Sequence, residues 1–227
     1  MKVDKARKNR RIAFYGGSFD PLHKGHLTIA RKLTELFALD EFVFIPAFHA
    51  PHKKDKKPTS AFQRFAMLAL ATNDKPEMRV SKMELDTPEK PYTIETQRKL
   101  KRKLKDAEIF FVIGADSWQE IDTWREWEGV LMLTNIIVVT RPGSEISFSH
   151  VTEKIRKRTI DLRKSREAKT KDQKLKSKEQ AIFITDAVNL DISSTEIRRK
   201  IRTRENDWDK LVPRAVAKYI EKYELYI

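Results

Sequence analysis

The chain has 227 residues, 40% of them hydrophobic and 35% charged, with 47 Lys and Arg against 33 Asp and Glu and a net charge of +14. It contains no cysteine, which excludes disulfides, thiolate metal sites and cysteine nucleophiles, so a metal would need oxygen or imidazole ligands. The excess of positive charge favours anionic partners. No apolar run approaches the ~20 residues that span a bilayer, and the basic N-terminus lacks the apolar core of a secretory signal, so the expectation is a cytoplasmic protein with no membrane partner.

In chain order, residues 1–11 carry six Lys and Arg against one Asp, and residues 1–10 are read as a basic extension ahead of one domain over 11–227. Ile12, Ala13, Phe14 and Tyr15 then form an apolar run without polar alternation, the pattern of a parallel strand covered on both faces. Gly16 and Gly17 end it, since glycine adopts backbone angles other residues resist and leaves room for a phosphate beside main-chain N–H groups. After Pro21, the segment His23-Lys24-Gly25-His26 opens a helix whose Leu27, Ala30, Leu33, Leu36 and Phe37 recur at helical spacing. A helix N-terminus offers unpaired N–H groups and a partial positive charge to an anion, and two imidazoles on the same turn add directed donors; for either histidine alone, capping or packing is an equal reading.

Glu41–Ala47 gives a second buried strand, so strand, helix and strand follow within one right-handed crossover unit. The basic loop after it contains His49, His52 and Lys53. Residues 60–71 read as a helix with Phe62, Phe65, Met67, Leu68 and Leu70 on its apolar face and Arg64 as a surface charge. MRVSKMELD reads as a strand or extended pair, and PYTIETQRKLKRKL as a helix whose first turn contains Thr93. Glu108–Ile113 is a further apolar strand, ended by Gly114 and followed at once by Asp116 and Ser117, where open parallel sheets bind ligands. Asp116 suits a ribose hydroxyl or the N-cap of the next helix. Trp118, Trp124 and Trp127 follow; Trp124 lies in a polar turn that would present an aromatic face to a flat ligand.

A strand at 135–140 and the turn Arg141-Pro142-Gly143 precede a stretch of different character. Residues 150–180 carry twelve Lys and Arg against five Asp and Glu, and about 144–180 is read as a basic, helical insertion whose first half docks on the body through Val151, Ile155, Ile160 and Leu162. Ala181–Thr185 returns to strand, Ser193, Ser194 and Thr195 begin a helix containing Arg198, and 207–223 ends the chain as an amphipathic helix with Pro213 in its first turn. Alternation of strand and helix throughout predicts an α/β fold, a Rossmann-like doubly wound parallel sheet.

GGSFDPLHKGH, Gly16–His26, resembles the G-G-x-F-D-P-x-H-x-G-H signature of the nucleotidyltransferases with an HxGH motif. With GADSW, the Asp122-Thr123-Trp124 turn, VVTRPG and ISSTEIR at Ile192–Arg198, most of the chain is similar to the nicotinate-nucleotide adenylyltransferases of that family; residues 1–10 and about 144–180 fall outside the match. Ser18 stands where the family often has Thr and keeps the hydroxyl. The resemblance implies transfer of AMP from ATP to nicotinate mononucleotide, with release of pyrophosphate and magnesium carried on the triphosphate. It implies His23, His26 and Arg198 as the catalytic groups. Gly16, Gly17, Ser18, Phe19, Lys53, Ser194 and Thr195 would border ATP and its phosphates, with His52 beside Lys53. Thr93, Asp116 and Trp124 would form the mononucleotide pocket, Trp124 stacking on the pyridine ring. No dedicated protein metal site is expected.

An acceptor such as phosphopantetheine or nicotinamide mononucleotide would share the first and last motifs; Thr93, GADSW and Trp124 favour nicotinate mononucleotide. A basic nucleic-acid-binding protein ranks below the enzyme, because the Lys and Arg are not interleaved with aromatics and no nucleic-acid motif occurs. A homo-oligomer is compatible with the fold, and no coiled-coil seam selects one.

Overall fold

A computed structural model describes residues 10–48, 59–86, 92–140, 145–164, 180–188 and 192–227. In chain order they form β1 (Arg10–Gly17), α1 (Lys24–Phe37), β2 (Glu41–Pro46), α2 (Ala61–Thr72), β3 (Met78–Val80), α3 (Thr93–Lys103), β4 (Ala107–Gly114), α4 (Ala115–Gln119), α5 (Trp127–Leu133) and β5 (Asn135–Val139). There follow α6 (Glu153–Lys157), β6 (Thr159–Asp161), β7 (Ile182–Thr185), α7 (Ser194–Arg202) and α8 (Arg214–Lys222), with short 3-10 turns at Ile121–Thr123, Leu162–Lys164 and Asp209–Leu211.

The strands make one sheet in the order β3-β2-β1-β4-β5-β7-β6, and each neighbouring pair is parallel. The continuous apolar runs follow from this arrangement, since each central strand is buried on both faces. Ala13, Phe42, Phe44, Phe110, Val112 and Phe183 pack with residues of α1, α2, α7 and α8 on one face. Ile12, Phe14, Val43, Ile45, Phe111 and Ile136 pack with residues of α3, α4, α5 and α6 on the other. The sheet is therefore doubly wound, as the alternation of elements predicts.

The connections reverse direction at β1, which has β2 on one side and β4 on the other. Tyr15 pairs with Val112, two residues before the last residue of each strand, so β1 and β4 end level at Gly17 and Gly114. The crevice outside such a switch point is where open α/β sheets hold ligands.

Four expectations change. Arg10, placed by sequence in the N-terminal extension, is the first residue of β1 and pairs with Ala107. On α2 the face is rotated: Phe62 is 67% exposed and Leu70 is exposed, while Ala61, Arg64, Met67, Leu68 and Ala71 are buried. The stretch read as a helical insertion supplies a helix, α6, and also β6, which pairs with β7 at the sheet edge. Gly16 and Gly17 are the last residues of β1 in regular pairing with Ile45 and Pro46, so no unusual backbone angle selects glycine there. What selects it at Gly17 is space, because a Cβ would lie 2.9 Å from Cζ of the Phe19 ring.

Candidate active site

The turn after β1 is built from aromatic packing. Phe19 takes a left-handed backbone conformation, φ 47°, and buries its ring edge-on against Tyr15 at 5.3 Å, Phe44 at 5.5 Å and His26 at 5.0 Å between centroids. Its ring is thus core rather than a surface open to a ligand. His23 is the N-cap residue of α1 and is buried; His26 is the third residue of the helix. The backbone N–H of His23 donates to Nδ1 of His26 at 3.2 Å, and the two rings stack with centroids 3.7 Å apart and planes 29° from parallel. Gly25 makes this possible: a Cβ there would lie 2.9 Å from Nδ1 and 3.0 Å from Cε1 of His23. The spacing H-x-G-H thus places two imidazoles, one over the other, at a helix start whose N–H groups point outward.

The last motif closes on the first. Ser193 caps α7 by accepting the N–H of Glu196 at 3.1 Å, while the next hydroxyl, Oγ of Ser194, donates to the carbonyl of Pro21 at 3.0 Å. Arg198 donates from Nη1 to the carbonyl of Asp20 at 2.5 Å and from Nη2 to Oγ1 of Thr195 at 3.2 Å. Residues 170 or more apart in sequence are thereby brought to one place, and two helix N-termini, α1 and α7, meet at the end of β1. Imidazoles, hydroxyls, a guanidinium and helix N–H groups are donors to anionic oxygen.

Across the level strand ends lies a second group of residues. Thr93, half-buried, is the first residue of α3. Gly114 is the N-cap of α4, so Asp116 stands exposed in the first turn rather than capping, with its carboxylate available to a ligand. Trp124 follows the 3-10 turn in extended conformation, half-buried against the core, and its ring stacks on no aromatic ring among the described residues. The Trp124 turn and the start of α3 are held together by Arg98–Glu126 at 2.5 Å, by Arg125–Glu95 at 3.8 Å and by the Arg125 guanidinium 4.7 Å from the Tyr92 ring centre. A Cβ at Gly114 would meet nothing within 4 Å, which marks open space at the end of β4. Trp118, by contrast, is core: its indole N–H donates to the carbonyl of Ser147 at 2.9 Å and its ring meets Phe148 and His150. Lys53, with His49 and His52, lies outside the described residues.

Three groups that sequence reading gave no site role stand behind these loops. Arg64 is fully buried, not a surface charge, and its guanidinium donates to carbonyls of Thr59 at 3.0 Å, Ser18 at 2.6 Å, Ala47 at 2.6 Å and Phe48 at 3.4 Å. Its position inside the run Ala61, Met67, Leu68 was the available signal, because a cation in an apolar stripe is either paired or misplaced. Burial pushes the Glu84 carboxyl up to about 7, against bonds from Thr96 and the Phe48 N–H and the fields of Arg64 and Lys99. The Tyr226 hydroxyl donates to Oδ1 of Asp20 at 2.7 Å, a contact across 206 residues that no local pattern announces.

A family model described as cytidylyltransferase-like matches residues 14–200. Relatives carrying the name "Probable nicotinate-nucleotide adenylyltransferase" include one from Citrifermentans bemidjiense, 37% identical over 96% of this chain and 98% of its own length. Another, from Thermus thermophilus, is 35% identical over 95% of this chain and 99% of its own length. Among solved structures, the nicotinic acid mononucleotide adenylyltransferase of Plasmodium falciparum complexed with NaAD superposes with a TM-score of 0.69 at 21% identity, covering 96% of this chain and 98% of that one, and so shares the fold. No helix among the described residues is long and apolar enough to cross a membrane. The stacked histidine turn, the helix that closes on it and relatives matched nearly end to end place this chain in the nicotinate-nucleotide adenylyltransferase family, within the cytidylyltransferase-like nucleotidyltransferases.

Proposed function

We propose that the chain transfers the adenylyl group of ATP to nicotinate mononucleotide. One observation supports the reading: the HxGH turn and the Ser194–Arg198 helix start are bonded together at the end of β1, level with the end of β4, which Asp116 follows by two residues. In this reading the donor-lined half faces Thr93, Asp116 and Trp124 over one crevice. In this reading an oxygen of the mononucleotide 5′-phosphate forms a bond to the α-phosphorus of ATP, and the bond from that phosphorus to the oxygen bridging it to the β-phosphorus breaks. Pyrophosphate leaves with the electron pair, and nicotinate adenine dinucleotide remains. No covalent intermediate on the protein is required, so the residues align and neutralise charge.

His23 and His26 donate to phosphate oxygens, with the backbone of Gly16, Gly17, Ser18 and Phe19 alongside. Ser194, Thr195 and Arg198 hold the triphosphate from the α7 side, and Lys53 is assigned to the phosphates on the family resemblance alone. Thr93 and Asp116 take polar groups of the mononucleotide, and Trp124 stacks on its ring. The donor set described here suits phosphate rather than a metal, and no group of three or more His, Asp or Glu that could hold an ion occurs among the described residues. Magnesium fits as an ion carried on triphosphate oxygens, where it neutralises charge.

The test is pyrophosphate release with ATP and magnesium, run side by side with nicotinate mononucleotide, nicotinamide mononucleotide and phosphopantetheine. Release with the first, at least tenfold above the others, is expected. Release with phosphopantetheine alone would keep the triphosphate half and refute the acceptor.

A further inference from the structure

Asp20 sits in an awkward place for a triphosphate site. It lies between Phe19 and Pro21 in the turn that leads to His23, and its own carbonyl accepts the Arg198 bond. A carboxylate at such a turn would repel the several negative charges of a nucleoside triphosphate if it faced them. It does not face solvent: Asp20 is buried, with Oδ1 accepting the Tyr226 hydroxyl at 2.7 Å.

The chain bends sharply to deliver that hydroxyl. Glu224 and Tyr226 both take left-handed backbone conformations, φ 48° and 72°, which non-glycine residues adopt at a cost. The tail around them is held independently of the phenol. Leu225 is buried in the core beside Val216 and Ile220, and its N–H donates to the carbonyl of Ile220 at 3.0 Å. The Tyr226 hydroxyl also bonds the side chain of Thr59, whose carbonyl accepts Nε of Arg64. Burial and the Asp20 carboxylate push the phenol's pKa up, which keeps it a donor throughout the working pH range.

We propose that Tyr226 is a positioning residue for the triphosphate half of the site, holding the Asp20 carboxylate on the inner side of the turn and so keeping it turned away from the bound phosphates. The proposal rests on the adenylyltransferase reading for its ligand. It assigns Tyr226 no contact with substrate. Its effect passes through Asp20 to the phosphates and through the Asp20 carbonyl to Arg198, and it belongs to ATP binding rather than to the acceptor.

The test uses the full chain as Tyr226→Phe, which removes one hydroxyl and leaves the ring and the Leu225 anchor in place. Calorimetric binding of a non-hydrolysable ATP analogue with magnesium is expected to weaken about tenfold, as when a charged group loses a bond at the edge of a binding site. The KM for ATP should rise in step, and the KM for nicotinate mononucleotide should stay within twofold. The second variant carries Asp20→Asn together with Tyr226→Phe. If the freed charge is the cause, neutralising it restores most of the analogue affinity even though the phenol bond remains lost. Analogue affinity of Tyr226→Phe within twofold of the parent would overturn the proposal. So would equal losses for both substrates, or a double variant no better than the single, since either would make Tyr226 a structural staple. A parent protein that binds the analogue but releases no pyrophosphate with any acceptor would instead count against the acceptor reading, and the analogue measurement would still decide the role of Tyr226.

Discussion

At the scale of single residues, the histidine turn shows how a short motif encodes geometry. His23 and His26 were legible as a pair at a helix start, but their stacking was not, because it depends on Gly25. A methyl group 2.9 Å from Nδ1 of His23 must displace the imidazole, since a helical backbone cannot retreat from it. Gly25→Ala is therefore expected to lose about a hundredfold in turnover while unfolding cooperatively near the parent temperature, approaching the loss in His23→Ala; turnover within threefold of the parent would show that the ring position is immaterial. Glu84 makes a prediction of a different kind. Its folded pKa of about 7 lies above the ordinary carboxyl value of 4.5 taken for the unfolded chain, so the native state binds the extra proton between these limits. The stability this contributes is present in full below about pH 4.5 and is lost as pH rises through 7, a change on the order of 3 kcal/mol. Glu84→Gln keeps a neutral side chain at every pH. Urea midpoints of parent and variant should consequently diverge from pH 5 to pH 8, with the variant falling less; parallel curves would remove Glu84 as the titrating group.

At the scale of elements, α2 marks the limit of pattern reading. The periodicity located the helix, and a capping serine, Ser60, accepts the N–H of Gln63 at its start. The face was misjudged because large apolar residues were weighted over small ones: Ala61 and Ala71 are buried while Phe62 and Leu70 are not. The same bias put Arg64 on the surface. Four carbonyls from three segments converge on its guanidinium, and none of them has a sequence signature, because each is backbone. Arg64 ties the exit of β1 at Ser18 to the exit of β2 at Ala47 and Phe48, so α2 sets the spacing of the two loops that border the crevice. Arg64→Met preserves length and removes every donor, leaving buried carbonyls unpaired. A loss of about 3 kcal/mol or more is expected from denaturant titration, with an unchanged slope if the unfolded state is unaffected. A loss below 1 kcal/mol would mean that water replaces the guanidinium. The closing of α7 on the β1 turn was legible only as a family likeness; the bonds Ser194–Pro21 and Arg198–Asp20 join segments that no local rule connects.

At the scale of the whole molecule, the centre of the sheet was readable because β1, β2 and β4 contain apolar runs ended by glycine or proline and β5 and β7 contain two more, the pattern of parallel strands buried on both faces; the edge strands β3 (MRV) and β6 (TID) lack it. What was not readable is that the basic segment joins the sheet. A segment with twelve Lys and Arg in 150–180 has the composition of a solvated appendage; its surviving apolar spacing marked Ile155 and Leu162 as docked, and both are buried, but nothing in the pattern announced β6, which extends the sheet. The two views make opposite predictions. In an appendage, Ile155→Ala would change stability by no more than about 0.5 kcal/mol, as surface substitutions do. In a strand-bearing part of the domain, it removes buried methyl groups from the layer that also contains Trp118, Val130 and Ile182, and costs about 2–5 kcal/mol. The bonds from Trp118 to Ser147 and from His150 back to the Trp118 carbonyl favour the second view, since they fasten the start of this segment to α4, the helix that also bears Asp116. Denaturation followed by tryptophan fluorescence and by far-UV circular dichroism should then shift together in Ile155→Ala. A fluorescence transition that separates from the helical one would show 145–164 folding as a unit apart from the sheet it borders.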